Sequence, residues 1–124
     1  MYGTSPLGAP RWEALTLALS DLIVGIARCR SMGVASRHSV SHTDPDGSDY
    51  LSLLTSNGYP WLSAAENLNC SKLRDSGAIQ PTTDFWTTDP EHDVNTFNAN
   101  FDAVGIGVAE ACNGLYFSAI LAQR

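Results

Sequence analysis

Three side chains combine the residue type and the surroundings that chemistry needs: His42, Glu66 and His92. His42 stands in a polar loop, with Ser41 before it and the turn Asp44-Pro-Asp-Gly47 after it. Glu66 lies between Ala64-Ala65 and Leu68, in a stretch that reads as a half-buried strand. A carboxylate there needs a partner or a cation, because burying an unpaired charge is costly. A salt bridge or a backbone hydrogen bond would meet that need as well as a metal. The run Asp84-Phe-Trp-Thr-Thr-Asp-Pro-Glu-His-Asp93 sets four acids around His92. Acids flanking one imidazole suit a divalent metal or a histidine oriented for acid–base work, although a polar helix end has the same composition.

Other chemistries find no support. The sequence has no H-E-x-x-H, G-x-S-x-G, Walker or dinucleotide-binding pattern. Nothing marks Ser41 as an activated nucleophile. The series Asp44-x-Asp-Gly-x-Asp49 loosely resembles a calcium loop, but its glycine is misplaced and the terminal glutamate is missing. Asn69-Cys-Ser71 has the form of a glycosylation sequon. The three cysteines, Cys29, Cys70 and Cys112, include no C-x-x-C pair, so a structural zinc knuckle is not expected. An odd number allows at most one internal disulfide; Cys70–Cys112 is the candidate pair, and only in an oxidising compartment. Seven basic residues against thirteen acidic ones give a net charge of −6. That balance excludes a nucleic-acid footprint and suits an anionic membrane surface equally poorly. It suits a cation or a basic partner surface, and mostly favours solubility.

These residues must be held by a scaffold, and 124 residues with 44% hydrophobic content suffice for one domain with a real core. Residues 1–11 read as an irregular Gly/Pro arm and residues 12–124 as the domain. The apolar run from Leu15 to Ala27 is too short to cross a bilayer, which takes about 20 residues. Asp21 interrupts it and no cleavage pattern follows, so a buried helix is expected rather than a signal segment. Leu15, Leu19, Leu22, Ile23 and Ile26 share one helical face, with Gly33 as a C-cap. A short helix is expected over 49–57, a strand over 65–69, a helix end over 83–88 broken by Pro90, and a terminal hairpin turning at Asn113-Gly114.

Taken in order, these segments resemble the CAP family (cysteine-rich secretory proteins, antigen 5 and plant PR-1). Ser41-His42 after the long helix, Glu66-Asn67-Leu68, Trp86 with His92 and Asn95, Gly105-Ile-Gly107 and Tyr116-Phe117 stand in that family's sequence order. The likeness runs from about Trp12 to Gln123 and is greatest with the short bacterial branch. It implies an α+β fold: an α-β-α sandwich with a central antiparallel sheet. It also implies a cleft lined by His42, His92 and Glu66, with Asn67, Asn95 and Trp86 beside them. The fourth acidic position falls on Asp89, with Glu91 a nearby substitute. Two imidazoles and one or two carboxylates would suit zinc. The family's first helix would precede the arm, and this chain begins almost there. The sandwich is therefore expected to be N-terminally truncated, with an apolar strip that something covers.

The resemblance carries three functional expectations. The first is a non-catalytic extracellular, cell-surface or periplasmic module for binding or assembly, with a protein partner or a homo-oligomer over the strip. The second is a carrier of a small apolar ligand such as a lipid or sterol. The third is a zinc-dependent hydrolase or protease using His42, Glu66 and His92; no second base or substrate pocket is legible for it, so an enzyme is the less favoured reading.

Overall fold

The computed structural model describes residues 17–124. The arm at 1–11 and the first residues of the expected helix, 12–16, lie outside the described residues. The described chain opens on a two-residue strand, β1 (Ala18–Leu19), where a continuous helix was expected. Helix α1 (Asp21–Arg37) starts later because Ser20 caps it: its hydroxyl accepts from the Ile23 N–H at 3.3 Å, and Asp21 sits in the first turn. Gly33 does not end it. The buried stripe Ile23, Ile26, Ala27, Arg30, Ser31, Val34, Ala35 runs past Gly33, and His38 caps the helix at φ 52 and ψ 35.

Helix α2 (Tyr50–Ser56) has Asp49 and Ser52 as a reciprocal cap. Strand β2 (Ser63–Ser71) contains the expected strand and extends it at both ends. A short 3-10 turn, Ser76–Ala78, leads into α3 (Ile79–Thr88), which contains the helix end expected over 83–88 and starts before it. Pro90 then starts α4 (Pro90–Thr96), since proline at the first helical position loses no hydrogen bond. Strands β3 (Ala103–Ala111) and β4 (Gly114–Gln123) form the terminal hairpin, turning through Cys112-Asn113 with Gly114 at φ 147.

The sheet order is β1-β3-β4-β2. β3–β4 and β4–β2 are antiparallel, and only the short β1 runs parallel to β3. Helices α1 and α2 bury Ile23, Ile26, Leu54, Ile120 and Ala122 on one face. Residues around α3 bury Ala78, Trp86, Phe117 and Ala119 on the other. The result is the expected α-β-α sandwich. Each fully buried isoleucine or leucine contributes about 1.5–3 kcal/mol to it.

The glycines of Gly105-Ile-Gly107 set the closeness of the first layer. A Cβ on Gly105 would lie 2.4 Å from the Val24 nitrogen, and one on Gly107 would lie 2.3 Å from the Arg28 nitrogen. Helix α1 therefore rests with its backbone directly on β3. Ser31 fastens it, its Oγ donating to the Gly107 carbonyl at 2.9 Å.

Candidate functional site

β2 is an edge strand, and its alternation sends Glu66 to the α1 side and Asn67 to the α4 side. The residues singled out by sequence thus form two clusters.

The first cluster is built on Arg30, which sequence reasoning missed. It is fully buried, as is the Glu66 side chain. The guanidinium grips that carboxylate in fork geometry: Nε donates to Oε2 at 2.8 Å and one Nη to Oε1 at 3.0 Å. It also donates to Asp44 Oδ1 at 2.7 Å and to the Ser41 carbonyl. Burial alone would lower the guanidinium's pKa. The Glu66 hydrogen bonds and the charges of Glu66, Asp44 and Asp49 outweigh burial and raise it above its ordinary value. Glu66 in turn accepts from His42 Nδ1 at 2.9 Å and from Ser118 Oγ at 3.4 Å. Four donors fill its lone-pair sites. The His42 ring itself is 58% exposed. The signal for Arg30 was its phase: it falls seven residues after Ile23 and four after Ile26, on the buried stripe.

The second cluster pairs His92 Nδ1 with Asp89 Oδ2 at 2.7 Å, and the Phe85 ring lies 4.5 Å from the imidazole. Of the two acids left open by sequence, Asp89 meets the histidine, while Glu91 is exposed. Asn67, Asn95 and Trp86 act as framework. Asn67 donates to the His92 carbonyl at 3.2 Å and to Thr96 Oγ1 at 3.1 Å, and accepts from Asn95 Nδ2 at 2.9 Å. Trp86 is buried and donates through Nε1 to the Leu68 carbonyl.

The proposed zinc ligands, His42, Glu66, His92 and Asp89, do not fit a four-ligand centre. Among the described residues no group of three or more His, Cys, Asp or Glu is placed to hold a metal ion. The physical reason lies in Glu66: its oxygens are taken by donors, and a cationic guanidinium would face any bound cation. The arrangement does provide two imidazoles, each oriented through Nδ1 by a carboxylate. The candidate Cys70–Cys112 bridge is not formed. All three cysteines are free and exposed, and Tyr116, directly across from Cys70 on β4, stands beside both thiols.

A third feature is apolar. Val104, Ile106 and Val108 alternate onto the α3/α4 side of β3. Ile106 is 49% exposed and Val108 47%. With Ile79, Trp86 and Phe117 they line a groove of about 240 Å³. A second groove of about 240 Å³, sharing Trp86 and Ile106, continues along Val104, Leu121 and Leu17. Ile79 of α3, which lines the first of them, is exposed. The α3/α4 side of the sheet thus carries exposed apolar side chains.

A model of the cysteine-rich secretory protein family, CAP, matches residues 16–121. None of the curated protein sequences compared matches the chain. Among solved structures, an outer surface protein of Borrelia burgdorferi is similar at a TM-score of 0.79 and 15% identity, over 92% of this chain and 82% of that one. An extracellular SCP-domain protein of Bacillus anthracis is similar at a TM-score of 0.72 and 19% identity, over 87% of this chain and 34% of that one. Venom allergen-like protein 4 of Schistosoma mansoni is similar at 0.55 and 15%, over 88% and 69%. At these identities the likeness is one of fold. Among the described residues no helix is long and apolar enough to cross a membrane.

Proposed function

The chain belongs to the cysteine-rich secretory protein (CAP) family, and within it we propose a non-catalytic extracellular binding module whose open sheet face docks an apolar ridge of a basic protein partner. The observation that carries this reading is the pair of joined grooves beneath exposed Ile106 and Val108. A contiguous apolar surface of this kind marks an interaction site. Exposed Ile79, Ile106 and Val108 leave it open to solvent, which suits a broad protein surface better than an enclosed small ligand. The net charge of −6 favours a partner with basic flanks and opposes a second copy of the same chain. The extracellular assignment is supported by the family description and by the outer-surface and extracellular proteins of like fold. A hydrolase is poorly supported, because the Glu66 carboxylate is spent on Arg30. The reading does not depend on a metal.

A synthetic amphipathic helical peptide, with a leucine stripe flanked by lysines, serves as the probe. Fluorescence anisotropy is expected to show binding that weakens at least about tenfold in Ile106→Asp/Val108→Asp, as for loss of a central anchor. A scrambled peptide of equal charge should bind weakly to both proteins. Equal binding of the two peptides, or no loss in the variant, would overturn the proposal. So would displacement of the probe by a fatty acid, which indicates the carrier, or dimerisation through this face in light scattering.

A further inference from the structure

At the C-terminal end of α1 a further titratable cluster joins the helix to the β3–β4 turn. His38 is the left-handed C-cap of α1, its N–H bonded to the Val34 and Ala35 carbonyls. A glycine or asparagine would hold that conformation at less cost. Its Nε2 lies 3.6 Å from Cys112 Sγ in the β3–β4 turn, within hydrogen-bond reach for sulfur. An imidazole nitrogen in that position can take up the thiol proton as the sulfur attacks.

We propose that Cys112 is a reactive-thiol site that His38 activates toward low-molecular-weight disulfides. The Cys112 proton passes to His38 Nε2. The thiolate attacks one sulfur of the disulfide R–S–S–R. A Cys112–S–S–R bond forms as the original S–S bond breaks, and the departing R–S⁻ takes up the proton. The net exchange converts one protein thiol and one disulfide into a mixed disulfide and one free thiol, with no outside oxidant or reductant. Access does not distinguish Cys112, since Cys29 and Cys70 are also exposed; the histidine does. The other groups around the turn are the Cys70 thiol of β2, the Tyr116 hydroxyl of β4, which accepts from Asn113 Nδ2 at 2.8 Å, and Lys72 beside Gly114. Glu110 of β3 lines the same hollow as His38 and is ion-paired with Arg74.

The test treats the full chain with oxidised glutathione at pH 7 and follows modification of each cysteine by peptide mass spectrometry. Cys112 is expected to react about tenfold faster than Cys29 or Cys70, because an imidazole nitrogen stands within reach of its proton. His38→Asn keeps a residue suited to the left-handed cap and removes the imidazole. It should bring Cys112 down to the rate of the other two, with an unchanged melting temperature showing that the fold is retained. Equal rates for all three cysteines in the parent protein, or a Cys112 rate unchanged in a folded His38→Asn, would overturn the proposal.

Discussion

The two faces of the sheet are built by opposite means. On one, α1 lies so close that Gly105 and Gly107 have no room for a Cβ, and a buried Arg30–Glu66 pair locks helix to edge strand. On the other, α3 and α4 are held through Asn67, Thr96 and Trp86, and half-exposed Ile106 and Val108 stay open beside them. The first face has its central charges, Arg30 and Glu66, spent on one another. The second keeps unspent apolar surface. That contrast moves the functional weight from the histidine cleft to the open sheet face.

The contrast can be broken most forcefully at Glu66. Removing one member of a buried ion pair leaves the other charged and unpaired, so Glu66→Ala should cost about 3–5 kcal/mol in urea unfolding. Asp89→Asn, at the more exposed pair, should cost about 1 kcal/mol or less. Equal costs would mean that the two clusters are built alike. The glycines come next. Gly107→Ala should cost about 3 kcal/mol because helix backbone must shift, whereas Ile106→Asp in the adjacent, outward-facing position should cost under about 1 kcal/mol. A harmless Gly107→Ala would show that α1 is not seated as closely as described.

The smallest effect sharpens the same comparison through pH. Tyr50, Tyr59 and Tyr116 pack on the α1 side, and burial raises each above the ordinary value of 10.0, with help at Tyr50 from the Glu66 and Asp49 charges. The unfolded chain therefore loses these protons first. Stability is fully present below pH 10 and declines as pH rises through the folded values. Urea midpoints at pH 8 and above pH 10 should fall in that order, and less steeply in Tyr50→Phe. A midpoint that rises or stays level would contradict the burial of these hydroxyls.

Much of this was legible in the sequence. The stripe from Ile23 onward, the Asp49 and Asn113-Gly114 signals, and the oddly placed Glu66 each follow from local periodicity or turn chemistry. Arg30 was not read, because an arginine on an amphipathic helix is ordinarily given to the solvated face; only its phase betrayed it. Local pattern likewise could not show that Glu66 would be consumed by a residue 36 positions away, and this is why a carboxylate suited to a metal became the partner of a guanidinium. The start of α1 was set too early because apolar periodicity continued through Leu19, where the chain pairs with β3 instead. The His38–Cys112 contact spans 74 residues and leaves no local trace.

The most direct test of the central claim is a map of where the basic amphipathic peptide binds, read as backbone amide chemical-shift changes on titration. Changes are expected to concentrate at Ile79, Trp86, Ile106, Val108 and Phe117, with Arg30, His42 and Glu66 quiet. Changes centred on His42, Glu66 and His92 would contradict it and return the function to the cleft.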